Sequence, residues 1–363
     1  MTTQAEPATA PVDTGPTAAQ GRDLLFAAAR VVLPILLALV VGAIILLALG
    51  KDPIAYYVYV VERGLLKWSG LQATLTRAAP LLLIAAGLIV AFRAGIWNLG
   101  VDGQFLLGAV IIAAIAPGMI GAMPAWMAML ACFAVAFAIG AAWSVIPAFL
   151  KAIYGVNEII TTLMMSFLGV SLANVLIKIP FNDPSTTVPQ TVTLPVEDRL
   201  PRLFDTTVHS GILIALAVVL LVHVMMTRTA LGLKLQVVGA NPRAAVHAGL
   251  NVVKLTFITF ALSAGLAGVG GAVEILGVWG NVRADWNPAY GMLVIPIVFL
   301  ARFNGLAVIG LVLFFAVLMI GGESAARRVG VPQFYVLVLV ALLLIFMALV
   351  ELLGHRWRMK TKA

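Results

Sequence analysis

Long apolar runs dominate the chain, and short polar stretches cut them at intervals. The runs fall at 31–49, 76–92, 104–116, 125–150, 159–179, 211–226, 255–276, 290–301, 306–321 and 334–353. A helix rises about 1.5 Å per residue, so crossing a hydrocarbon core of about 30 Å takes roughly 20 apolar residues. The pattern predicts an all-α polytopic membrane protein with about ten transmembrane helices, some of them short or broken. The third and eighth runs are short for a full crossing, which leaves eight or nine crossings as the alternative count. A β-barrel would show short alternating segments instead.

Two interruptions carry unusual chemistry. The first, "FRAGIWNLGVDGQF" (92–105), places Arg93, Trp97, Asn98, Asp102 and Gln104 among three glycines, between two apolar runs. The second, "GVWGNVRADWNPAYG" (277–291), repeats the combination with Trp279, Asn281, Trp286 and Asn287. Irregular backbone at membrane depth is tolerated only where protein or a water-filled cavity satisfies it. Transporters build substrate paths from such interrupted helices, often at matching places in two halves. The candidate pathway residues are therefore Trp97, Asn98, Asp102, Gln104, Trp279, Asn281, Trp286 and Asn287. The tryptophans can stack on rings, and the amides can bond hydroxyls or ring edges. The competing reading is ordinary: Trp favours membrane interfaces, and Asn-Pro and Gly mark turns. Arg93 and Asp102 can pair with each other or with lipid and loop groups, in a structural role.

Composition agrees with the pattern. Of 363 residues, 62% are hydrophobic and only 10% charged, against about 25% charged in soluble domains. The formal charge of +8 does not indicate nucleic acid, because the basic residues flank apolar runs, where they set orientation. Arg228, Lys234, Arg243 and Lys254 mark the connection 227–254 as cytoplasmic, as do Arg356, Arg358, Lys360 and Lys362 for the C-terminal tail and Arg22 and Arg30 for the N-terminal side. Asp183, Glu197, Asp198 and Asp205 mark 180–210 as external. Both termini are thus expected in the cytoplasm. Arg327 and Arg328 conflict with this scheme, which puts their loop outside. The expected layout is a disordered tail (1–25), a transmembrane domain (26–355) and a basic tail (356–363). Cys132 is the one cysteine, so no intrachain disulfide or cysteine metal cluster is possible. The scattered histidines show no ligand spacing.

No phosphate loop, zinc-protease or nucleophile-elbow motif occurs. Arg77, Arg93, Asp102, Glu158, Glu274 and Glu323 lie near the ends of runs rather than forming a charged relay. This is not the pattern of an enzyme or an ion-driven pump, and any driving energy should enter from outside the chain. The connection 227–254 contains "VVGANPRAAVHAGLNV" (237–252). Asn241 suits an N-cap, Pro242 the first helical position, Ala244, Ala245 and Ala248 the interior, and Gly249 the left-handed stop. A helix of about two turns is not stable alone and needs a surface to lie on. That surface is either the membrane end of the neighbouring spans or a partner protein.

This loop resembles the cytoplasmic loop of ABC-importer permeases of the branched-chain amino acid, simple sugar and nucleoside group, through Gly239, Asn241, Pro242, Ala244, Ala245, Ala248, Gly249 and Leu250. The following "FALSAGLAGVGGAVEILG" (260–277) is similar to that family's next helix. The first interruption is similar to the nucleoside-type "FRAGxxNIGxEGQ", with Leu99 for Ile and Asp102 for Glu. The resemblance implies a non-enzymatic permease subunit in the bacterial plasma membrane. It implies a coupling segment (Gly239, Asn241, Pro242, Arg243, Ala244, Ala245, His247, Gly249) on a cytoplasmic ATPase. It also implies a second permease subunit and an external substrate-binding (lipo)protein. No cofactor is expected in this chain; ATP and Mg would belong to the ATPase. The implied cargo is a nucleoside. A simple sugar is the alternative within the family, and an ion-coupled secondary carrier is the alternative outside it.

Overall fold

The computed structural model describes residues 18–332 and 334–360. Most of the expected tail, residues 1–17, and the last three residues of the basic tail lie outside them. The described residues form helices α1 (Ala18–Ala48), α2 (Pro53–Val61), α3 (Trp68–Arg93), α4 (Val101–Ala122), α5 (Ala125–Trp143), α6 (Val145–Tyr154) and α7 (Glu158–Lys178). After an irregular segment come α8 (Gly211–Arg228), α9 (Ala230–Ala240), α10 (Pro242–His247), α11 (Val252–Glu274), α12 (Tyr290–Leu300), α13 (Gly305–Val329) and α14 (Tyr335–Lys360). Seven apolar stretches are long enough to cross a bilayer, and shorter apolar helices include 32–48, 290–300 and 335–350.

Each predicted run coincides with a helix, but several boundaries differ. The third run extends to 22 residues as α4 and is not short. The eighth remains short: α12 has 11 residues. The fourth run breaks at Ser144 into α5 and α6. The connection 227–254 holds α9 as well as α10. Helix α2 has no counterpart among the apolar runs; Asp52 caps it by accepting from Ile54 and Ala55 N–H groups. Arg327 and Arg328 are not in a loop. They occupy the last turn of α13, where cations suit the exposed carbonyls, and the Arg328 guanidinium lies 4.5 Å over the Tyr59 ring.

Helix α3 is the buried axis, with every residue from Ala78 to Ala91 inside the bundle. Small residues let α11 cross its neighbours at backbone distance, as expected where lipid supplies no hydrophobic drive between helices. A Cβ on Gly108 of α4 would stand 2.5 Å from the carbonyl oxygen of Gly268.

The segment between α7 and α8 folds back as a strap over the end of α11. Leu200, Leu194 and Thr191 donate backbone N–H bonds to the carbonyls of Leu276, Gly280 and Val282 (2.8, 2.9 and 3.0 Å). Where the strap enters α8, His209 is 1% exposed. Its Nδ1 accepts from Gly211 N–H at 3.1 Å, so the neutral ring carries its proton on Nε2. Burial pushes this imidazole down to about 4. Below pH 6.5 the unfolded chain binds a proton that the folded chain refuses until about pH 4, so stability falls as the pH drops through that window. Thermal unfolding in detergent should show an acid-side loss of up to about 3 kcal/mol. His209→Asn, which keeps an acceptor near Nδ1, should flatten that limb; an unchanged limb would exclude His209 as its source.

Candidate functional site

The first interruption begins where α3 stops. Gly95 takes φ +69°, the left-handed conformation that glycine adopts without strain. Ile96 N–H then reaches back to Ala91 O (2.9 Å) and closes the helix end. Residues 96–100 are non-helical, and α4 opens at Val101. Asn98 is fully buried there, and all four of its amide valences are filled. Its Nδ2 donates to Gln104 Oε1 (2.9 Å) and Ser263 Oγ (3.0 Å), while its Oδ1 accepts from Gly100 N (3.1 Å) and Gln104 Nε2 (3.1 Å). Hydroxyls of α7 take further backbone donors: Thr162 accepts from Leu99 N–H and Ser166 from Gly103 N–H. Asn98 and Gln104, expected on the substrate path, hydrogen-bond each other inside the break.

Asp102 does not pair with Arg93. Its Oδ1 accepts from the backbone N–H of Gly291, at 2.6 Å. Gly291 lies in the first turn of α12, whose leading N–H groups have no partner within the helix. A carboxylate here also faces the positive end of the helix dipole. The two interruptions, read from sequence as echoes, are therefore joined by a hydrogen bond. Aromatic contacts extend the junction. Phe105 lies 5.4 Å from Tyr290 and 6.1 Å from Trp286, and Trp286 lies 6.3 Å from Trp279. Asn281 donates to Thr193 Oγ1 of the strap (2.7 Å). Asn287 is a turn residue whose Oδ1 accepts from Ala289 N–H (2.9 Å). Trp97 is elsewhere. It stacks on Phe299 near the far end of α12, 5.2 Å away, and its ring is part-exposed. The structure thus gathers Asp102, Trp279 and Trp286 and separates Trp97 from them.

A further cluster lies beside this junction. Arg77 of α3 donates to the Tyr290 hydroxyl. Tyr290 and Trp279 Nε1 donate to Glu274 Oε1 (3.1 and 3.0 Å), and the Arg77 guanidinium stands 4.0 Å from the same oxygen. In sequence these charges look like separate residues at run ends. The fold brings them together, Glu274 buried and Arg77 part-buried, and Tyr290 had no signal beyond its place at the start of a short apolar run.

The predicted coupling helix forms as α10. Asn241 Oδ1 accepts from Ala244 N–H (3.1 Å), Pro242 is the first residue, and Gly249 has φ +75°. Of its residues only Ala245 is buried; Pro242, Arg243, Ala244 and His247 are exposed. At the end of α9, Gly239 lies against the first interruption. A Cβ on Gly239 would stand 2.5 Å from Arg93 O, and one on Gly95 would stand 2.9 Å from Gly239 Cα. Neither position has room for a side chain, so the two backbones meet directly.

Residues 70–348 match the family model described as branched-chain amino acid transport system / permease component. A glucose ABC transporter permease protein of Haloferax volcanii is 36% identical over 329 residues, covering 87% of this chain and 86% of that protein. A guanosine ABC transporter permease protein of Bacillus subtilis is 28% identical, covering 86% and 91%. A nucleoside ABC transporter permease protein of Lactococcus lactis is 27% identical, covering 85% and 86%.

Asp102→Ala should leave the Gly291 N–H without its partner and destabilise the protein by about 1–3 kcal/mol. Asp102→Asn, which keeps an acceptor in place, should lose less. Melting temperatures of the two purified variants in one detergent check the ordering, and equal losses would remove Asp102 as the partner of α12.

Proposed function

The chain belongs to the branched-chain amino acid transport system permease component family, as an ABC transporter permease of the sugar/nucleoside type, and from that premise we propose that it imports nucleosides with energy from a separate ATPase. It is a multi-pass protein of the plasma membrane, and a transport component rather than an enzyme. The observation that carries the coupling reading is the direct backbone contact between Gly239, beside α10, and Gly95 of the first interruption. In this reading α10 docks on a cytoplasmic ATPase that binds ATP and Mg. Arg228, Lys234, Arg243 and Lys254 favour the cytoplasmic side for that end. Displacement of α9 and α10 passes through Gly239 to the break, through Asp102 to α12, and so to the tryptophans at the opposite mouth. A second permease subunit completes the path, and an external binding protein delivers cargo to the strap side. Trp279 and Trp286 line the cargo's entry; Asp102 positions α12.

The nucleoside reading rests on the "FRAGIWNLGVDGQ" pattern and on the guanosine and nucleoside permeases among the relatives. A second reading, a simple sugar, is favoured by the 36% identity to the glucose permease. Cells expressing the whole transporter should accumulate labelled guanosine saturably, and excess glucose should not compete. Saturable glucose uptake indifferent to guanosine would reverse the choice.

Asn241→Ala removes the cap of α10, a loss of about 1 kcal/mol in local stability. Together with Arg243→Ala it should weaken ATPase co-purification and uptake while membrane insertion stays normal. Full ATPase binding and transport in both variants would overturn the coupling role.

A further inference from the structure

Glu274 is 2% exposed at the end of α11. One carboxylate oxygen, Oε1, receives Tyr290 and Trp279 and faces Arg77. The other, Oε2, is buried and has no hydrogen-bond partner in the protein. An acceptor left unpaired at membrane depth is costly and, where retained, points to a function. The donors on Oε1 and the nearby guanidinium suit a carboxylate, whose second oxygen accepts only. The missing partner is therefore a donor, an O–H or N–H. A cation would duplicate Arg77, which already stands 4.0 Å from the carboxylate, whereas Glu323 acts on that guanidinium only from beyond ion-pair distance. A neutral hydroxyl duplicates nothing.

The surroundings narrow the class. Trp279, which holds Glu274 through its indole N–H, is 45% exposed, and Trp286 stands edge-on to it at 6.3 Å. An acceptor at the edge of a part-exposed indole, with a second indole 6.3 Å from the first, suits a solute with hydroxyls on one edge and an apolar ring face on the other. We propose that Glu274 Oε2 receives the hydroxyl groups of the cargo, making it the specificity-determining acceptor for uncharged, polyhydroxylated solutes. This rests on the cargo class proposed above, since sugars and nucleosides share such hydroxyls. Residues 276–282, directly after Glu274 in the chain, are tied to the strap by backbone hydrogen bonds.

The test is Glu274→Gln in the complete transporter, with ATPase and binding protein present. The replacement keeps an acceptor for Tyr290 and Trp279 and puts a donor where the second oxygen was. Uptake of guanosine and glucose is compared with that of 2′,3′-dideoxyguanosine and 2-deoxyglucose. The KM for the hydroxylated cargo should rise roughly tenfold or more with Vmax nearly unchanged. The preference for hydroxylated over deoxy solute should collapse. Trp279→Phe, which keeps a ring but removes the donor to Oε1, should shift KM the same way by less. A fall in Vmax with the preference intact, in both variants, would make Glu274 a structural latch and overturn the proposal. Wild-type uptake of some other hydroxylated solute would change the cargo but leave the Glu274 comparison decisive. Wild-type cargo with no hydroxyl groups would overturn both readings.

Discussion

Hydrocarbon offers no water to an unpaired peptide group, so each place where this chain leaves the helix inside the bundle must supply its own partners. The Asn98–Gln104 pair meets that demand at the first interruption, and the Asp102 carboxylate meets it for the first turn of α12. Without such partners, α4 and α12 would begin with unmatched donors in an apolar surround. The rest of the arrangement follows from these starts: α12 can be short because its N-terminus is held from α4, and the tryptophans of the second interruption sit where that junction puts them.

The same contacts give the molecule a mechanical order. One end carries α10, mostly exposed and capped at both termini by its own sequence. The other carries the strap, bonded along its backbone to the segment after α11. Between them run α3, buried along most of its length, and α11, which crosses α4 and α5 through small residues. A bundle packed this closely at its centre moves by shifts of whole helices rather than by local softening.

The helices and the α10 caps were legible in the sequence because their signals are local. Apolar runs, Asn241-Pro242 at a start and Gly249 at a stop each work within one or two turns. The junctions were not, because they join distant positions: Asp102 meets Gly291 across 189 residues, and Arg77 meets Tyr290 across 213. Composition placed Asn98 and Gln104 on the cargo path as polar groups in an apolar chain. The fold shows that such residues also serve the chain itself, since a broken helix has amides of its own to satisfy. Arg327 and Arg328 misled for a related reason, because a helix end accommodates two arginines that a hydropathy profile assigns to a loop.

The meeting of Gly239 and Gly95 has a further consequence. Side chains give most helix contacts some compliance, since rotamers can turn before a backbone must move. Here there are none to turn, and main chain bears on main chain. A push of a few tenths of an ångström on α9 has no slack to take up before it reaches the break. The joint behaves as a hard stop rather than a spring, because glycine at both positions leaves only main-chain repulsion to set its stiffness.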